Sequence, residues 1–103
     1  ARRFYEEALE MKRQVFGDTA NSSVAETSHE LGALCSTQSD LQGARRFYEE
    51  ALEMKRQVFG DTANPSVATT LDALGALCST QSDLQGARRF YEEALEMKRQ
   101  VFG

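Results

Sequence analysis

The sequence predicts an all-α solenoid of antiparallel helix pairs, and three observations predict it. First, the 103-residue chain is one 43-residue unit written almost two and a half times. Residues 1–43 and 44–86 align without a gap, and residues 87–103 repeat 1–17 and 44–60 letter for letter. A fixed period of about 20–50 residues marks an array, because so short a unit cannot bury an apolar face alone and must stack on its neighbours. Second, each unit carries two stretches with apolar residues at helical intervals. Third, the strict alternation of a half-buried strand occurs nowhere.

The elements run in the order B-A-B-A-B. Helix B opens the chain near residues 1–16 and returns near 41–59 and 84–102. In its last copy Asp83 is an N-cap candidate, and Leu84, Ala87, Tyr91, Ala94, Leu95 and Lys98 continue one stripe toward Val101. Gly60 and Gly103 follow the stripe where a left-handed C-terminal residue is expected. Helix A is expected over about 22–37 and 65–80. Asn64 is a good N-cap, and Pro65 falls in the first turn, where its missing N–H costs nothing. Val67, Leu71, Leu74 and Cys78 then make one helical stripe. The two full copies differ at five places: Ser22/Pro65, Glu26/Thr69, Ser28/Leu71, His29/Asp72 and Glu30/Ala73. Such near-identity is that of a recent tandem duplication or a consensus sequence. Serine in place of Leu71 should make the first unit the softer one, by about 2–3 kcal/mol if the site is buried.

Composition narrows the functional classes. Hydrophobic residues are 41% and charged residues 27%, a globular balance. Twelve Lys+Arg against sixteen Asp+Glu give a net charge of -4, which speaks against nucleic acid as a partner. Apolar runs fall short of a membrane span of about 18 residues. The chain opens with Ala1 and carries no secretory signal, which reads as a piece cut from a longer, intracellular protein. Two cysteines make no disulfide framework and one histidine makes no metal cage.

The residues also carry a family resemblance. Leu74-Gly75, Cys78, Ala87, Tyr91 and Ala94 are spaced as in a tetratricopeptide repeat, and Leu31-Gly32, Cys35, Ala44, Tyr48 and Ala51 match it again. Pro65-Ser66-Val67-Ala68 and the tail Ala94-Leu95-Glu96-Met97 resemble the longer repeats of kinesin light chains. The departures are Ser28 and Leu71 at the tryptophan position, and Cys35 and Cys78 at the tyrosine position. Ser39 and Ser82 stand at the inter-helix glycine, and Arg56 and Arg99 at the closing proline, so helix B should run longer than usual. The resemblance implies a right-handed solenoid spanning 1–103, with helix B at 1–17 and repeats at 18–60 and 61–103. Within a repeat, Gly75 and Ala87 leave no bulk between helices, so A and B approach closely while Leu74 and Tyr91 fill the gaps.

Residues able to carry chemistry are few. Cys35 and Cys78 occupy equivalent apolar stripes one period apart, too far for a disulfide, and read as buried thiols in a reducing, cytoplasmic compartment. His29 lacks a nucleophile and orienting acid, and reads as an exposed surface histidine. The Arg-Arg pairs at 2–3, 45–46 and 88–89, with Lys12-Arg13 and its copies, are answered by acids at helical spacing: Arg45 to Glu49, Arg46 to Glu50, Glu53 to Arg56. That pattern describes a solvated face rather than a phosphate stripe. Asn21-Ser22-Ser23 spells a glycosylation sequon, but a helix cap is the expected role, with Ser23 and Glu26 forming a capping box. Glycine-rich phosphate loops, serine elbows and paired catalytic acids are missing from the sequence. An enzyme, a cofactor and a bound metal are therefore not expected.

All twelve basic residues fall in helix B; residues 18–43 and 61–86 contain none. The resemblance implies that the A helices line a concave groove that reads extended peptides. Such a groove would be neutral to acidic here, favouring neutral or basic partners over acidic ones. Helical spacing puts Glu26, His29, Ala33, Ser36 and Thr37 of one unit, and Thr69, Asp72, Ala76, Ser79 and Thr80 of the next, on that face. Ala33 and Ala76 stand where relatives that clamp a chaperone's terminal carboxylate carry asparagine, which disfavours that ligand. The expected function is a non-catalytic scaffold binding proteins or peptides; the alternative is a structural, self-assembling array without a groove ligand. Self-association is expected because both ends are B helices. Phe4, Tyr5 and Leu9 at one end, and Leu95 and Val101 at the other, lack a covering A helix. A domain swap through a straightened A–B turn is the second route, since a non-glycine residue at positive φ costs about 1 kcal/mol.

Overall fold

The computed structural model describes residues 2–16, 22–60 and 64–102. Its helices are α1 (Arg2–Phe16), α2 (Ser22–Thr37), α3 (Leu41–Phe59), α4 (Pro65–Thr80) and α5 (Leu84–Phe102). Odd-numbered helices are the B type and even-numbered ones the A type. No strand occurs among the described residues. Each helix packs on its neighbours in sequence, most extensively within the A–B pairs α2/α3 and α4/α5, and less across the seams α1/α2 and α3/α4. This is the expected all-α solenoid order.

Local chemistry sets the helix ends. Asn64 accepts the Ser66 N–H at 2.7 Å and leads into Pro65, as its sequence foretells. Asp40 and Asp83 each cap a B helix by accepting the N–H of Gly43 and Gly86 at 3.0 Å. Each A helix closes in a Schellman turn: Asp40 N–H reaches the Cys35 carbonyl at 2.8 Å and Ser39 N–H the Ser36 carbonyl at 3.0 Å, with the same pair at Asp83 and Ser82. The turn forces φ to 64° at Ser39 and 62° at Ser82, the strain expected where serine replaces glycine. Gly60 departs from expectation. Its φ is 61°, but its ψ of -140° lies outside the left-handed helical well, near a region that only glycine visits freely. Gly103 lies outside the described residues, as does the Asn21 cap.

The core forms where the two stripes meet. Val24, Leu31 and Cys35 of α2 and Val67, Leu71, Leu74 and Cys78 of α4 are buried against Phe47, Tyr48 and Leu52 of α3. Close approach within a pair depends on glycine. A Cβ on Gly32 would stand 2.7 Å from Cδ1 of Tyr48, and one on Gly75 would stand 2.8 Å from Cδ1 of Tyr91. Ser28 is buried like Leu71, so the first unit does fill that position with a smaller side chain. Both cysteines are free and buried, and burial pushes their thiols above the usual range.

Three expectations are corrected by packing. Leu9 is buried on α2, as its copy Leu52 is on α4, so only Phe4 of the named N-terminal residues is an exposed apolar side chain; the Tyr5 side chain lies outside the described set. Ser23 is inside helix α2 rather than at its cap position, and the Glu26 carboxylate reaches Ser66 and Lys55 of the next repeat's seam instead of turning back to the first turn of its own helix. The ion pairs also change partners. Arg45 keeps Glu49 at 3.6 Å, but Glu50 accepts from Arg13 of α1 at 3.0 Å and Arg56 reaches Glu93 of α5 at 2.9 Å. Arg46 lies 4.9 Å from the Phe47 ring centre. The B helices run side by side, so the next repeat offers an acid as close as the same helix does.

Candidate interaction face of the A helices

Helices α2 and α4 lie next to each other, joined directly by polar side chains. Glu26 of α2 accepts the Ser66 hydroxyl of α4 at 3.0 Å, and Nδ1 of His29 meets the Thr70 hydroxyl at 3.0 Å. From behind, Lys55 of α3 reaches between them. Its ammonium donates to Thr70 Oγ1 at 2.8 Å and to the Ser66 carbonyl at 3.2 Å, and stands 3.4 Å from the Glu26 carboxylate. Lys55 is only 2% exposed. Its stem covers apolar surface while its head finds partners, which is how a buried lysine is tolerated.

The electrostatics follow from this arrangement. Burial draws the Lys55 ammonium below its ordinary value, with the Glu26 charge partly offsetting it. For Glu26, burial raises the carboxyl, but the Lys55 charge and the hydrogen bonds from Ser66 and Lys55 outweigh it and hold the group below the usual range. Burial lowers His29 and the nearby Lys55 charge lowers it further, against a smaller pull from Glu26. A neutral imidazole fits the geometry in either tautomer: the Thr70 hydroxyl accepts from Lys55, meets Nδ1 at 3.0 Å and lies 3.4 Å from the Ser66 carbonyl, so its one proton goes to the carbonyl or to the ring. The ring also packs against Tyr48, with centroids 5.1 Å apart.

The reading of His29 as an exposed surface residue is therefore corrected. It is half-buried in the seam between repeats. The reading of Lys55 as part of a solvated face is corrected too. Lys12 repeats the arrangement one unit earlier, donating to Thr27 at 2.6 Å and to the Ser23 carbonyl at 3.3 Å. Lys55, Ser66 and Thr70 are the residues of this cluster that were missing from the ten named by spacing. One signal pointed to the lysine: its copy Lys98 falls on the apolar stripe of helix B.

The other named residues divide by role. Asp72 is half-buried and holds Lys98 of α5 at 2.6 Å. Ala33, Ser36, Thr37, Thr69, Ala76, Ser79 and Thr80 are exposed. The hydroxyls of Thr37, Thr69 and Thr80 donate to carbonyls four residues back on their own helices, at 3.1, 3.0 and 3.1 Å. The accessible part of the face is thus short and low in charge, while its acids Glu26 and Asp72 are matched by lysines from the B helices. Among the described residues no group of His, Cys, Asp and Glu side chains is arranged to hold a metal ion, and no helix is long and apolar enough to cross a membrane.

Comparison with known proteins agrees with the architecture. The tetratricopeptide repeat family model matches residues 1–57 and again 23–100, which together span almost the whole chain. No curated protein matches the chain. The helix order, the glycine-on-tyrosine contacts and the family match lead to one conclusion: the chain belongs to the tetratricopeptide repeat family.

Proposed function

We propose that this protein is a non-catalytic interaction scaffold that binds a protein or peptide segment along the exposed face of α2 and α4. Membership of a family of interaction modules supports the general reading. The observation that carries the finer one is the division of labour on that face. Its ionisable residues Glu26, His29 and Asp72 are engaged within the chain, while Ala33, Ser36 and Thr37, and Ala76, Ser79 and Thr80, stand outward with little bulk. A low surface of this kind lets a partner backbone approach closely. The absence of lysine and arginine from both A helices favours neutral or basic segments over acidic ones. Two buried free thiols fit a reducing, cytoplasmic setting.

Selection of binders from a displayed peptide library on the immobilised 103-residue chain tests this. Selected peptides should lose roughly tenfold or more in affinity when Ala33→Arg and Ala76→Arg are introduced together. Gln57→Arg, on the exposed side of α3, should leave them unaffected. Peptides indifferent to the alanine changes would move the site elsewhere. The rival reading, a structural array that associates with itself, is favoured by the near-identity of the 43-residue units.

A further inference from the structure

Each B helix carries an Arg-Arg pair, and the seams give its two arginines different roles. The first arginine is held twice. Arg2 donates to Glu6 at 2.9 Å and reaches Asp40 of α3's cap at 3.1 Å, while Arg45 stands 3.6 Å from Glu49 and 3.7 Å from Asp83 of α5's cap. The second arginine of α3 and of α5 is left over. Helical spacing offers Glu50 to Arg46 and Glu93 to Arg89, but Arg13 and Arg56 of the preceding B helix take those acids at 3.0 and 2.9 Å. Among the described residues, no carboxylate pairs with Arg46 or Arg89.

Both arginines are exposed, yet each is held in place. Cζ of Arg46 lies 4.9 Å from the centre of the buried Phe47 ring, and Cζ of Arg89 lies 5.1 Å from that of Phe90. A guanidinium resting on a ring keeps its fork of N–H donors open to a planar acceptor. Each arginine also opens on a cavity that recurs with the repeat. Arg46 lines one of about 380 Å³ with Arg2, Asp40 and Gln42, between α1 and α3. Arg89 lines one of about 420 Å³ with Arg45, Asp83 and Gln85, between α3 and α5. Two guanidinium groups face one carboxylate in each, so a single negative charge balances the cavity.

We infer that these cavities are a row of carboxylate subsites, one per seam, for an acidic protein segment in extended, polyproline-like conformation with an acid at every third residue. A carboxylate matches the guanidinium fork in shape and the cavity in charge. A phosphate dianion exceeds that charge and meets Asp40 or Asp83 at close range. The net charge of -4 also speaks against a polyanion such as nucleic acid. Spacing selects the backbone. Side chains that meet across the seam put successive B helices on the order of 10 Å apart. A polyproline II segment turns once in about three residues and rises about 3.1 Å with each, returning a side chain to the same face every ~9 Å. The row is separate from the α2/α4 face, because none of the residues assigned there lines either cavity.

Titration of the intact 103-residue chain with an end-capped peptide of Glu-Pro-Pro triplets, followed by NMR and fluorescence anisotropy, tests the proposal. In the unmodified chain the side-chain Nε–H signals of Arg46 and Arg89 should move, and that of Arg3 should not. Arg46→Gln with Arg89→Gln should keep the melting midpoint, since neither arginine holds an acid, and weaken binding by roughly tenfold or more. Arg3→Gln with Arg88→Gln removes the same charge from arginines already paired with Glu7 and Glu92, and should weaken it by less than about twofold. An isomeric peptide with its glutamates gathered at one end should bind roughly fivefold more weakly, because it fills one cavity at a time. Equal binding of the two peptides overturns the proposal, as charge alone would then be recognised. So does a peptide that fails to bind, or one whose binding survives the loss of Arg46 and Arg89. Capture of phosphatidylserine vesicles through these arginines where the peptide fails overturns it too, since that describes a lipid surface.

Discussion

His29 sits where a second positive charge is least welcome. Its Nδ1 shares a 3.0 Å hydrogen bond with the Thr70 hydroxyl, which itself accepts from the Lys55 ammonium. A proton on the ring would put a second cation beside Lys55 at a half-buried site. The folded state therefore disfavours the charged ring, consistent with its lowered pKa. The sign follows: with the folded value below the unfolded one, stability is lost as pH falls through the ordinary imidazole value of about 6.5 and toward the folded value. Glu26, also lowered, contributes above the ordinary carboxyl value of about 4.3 and loses that contribution as pH falls further. Melting midpoints measured down the acid range should show two losses, the first vanishing in His29→Asn and the second in Glu26→Gln. A midpoint flat through the imidazole range would contradict the neutral ring. Lys55→Ala should cost about 2–4 kcal/mol in urea unfolding, since it removes the hydrogen bonds to Thr70 and the Ser66 carbonyl together with a buried stem. Glu26→Gln, at a half-exposed site, should cost under about 1 kcal/mol near neutral pH. The burial of Lys55 was readable, because the spacing that puts Lys98 on the helix B stripe puts its copy there too. Its partners were not, because Ser66 and Thr70 come from a helix whose docking register is set by no local pattern.

Turns and close contacts decide the helix pairs. Ser39 and Ser82 hold positive φ inside complete Schellman turns, so the hydrogen bonds are made and only the serine Cβ is strained. Ser82→Gly should raise stability by about 1 kcal/mol, less the entropy that glycine adds to the unfolded chain. A lowered urea midpoint would mean the turn is not strained. Gly32→Ala should cost about 1–3 kcal/mol despite alanine's better helix propensity, because the Tyr48 ring is buried under α4 and has no room to retreat. Gly75→Ala should cost less, since Tyr91 is partly exposed and can shift. Equal costs would show that α4 does not hold Tyr48. Helix bounds were legible because Asn64-Pro65, Asp40 and Asp83 are strong local signals, and the positive φ at Ser39 followed from the family glycine it replaces. The ion pairs were not legible. Helical spacing offers Glu50 to Arg46, and only the side-by-side B helices offer it to Arg13 instead.

At the scale of the molecule, stability rests on the seams between repeats as well as on packing within the A–B pairs. Lys55, Thr70, His29, Glu26 and Ser66 tie α2, α3 and α4 across one seam, while Arg13–Glu50 and Arg56–Glu93 tie successive B helices. Nearest-neighbour coupling of this kind makes stability grow with the number of interfaces. The first unit, with Ser28 in a buried leucine position, should exchange its amides faster than the second, and Ser28→Leu should narrow that gap. The most direct measurement is urea unfolding of this chain beside chains lengthened by one and two further 43-residue units. Coupled repeats predict a midpoint that rises with each added unit and a transition that steepens. A midpoint and slope unchanged by added units would contradict the account, because the seam contacts would then carry no coupling.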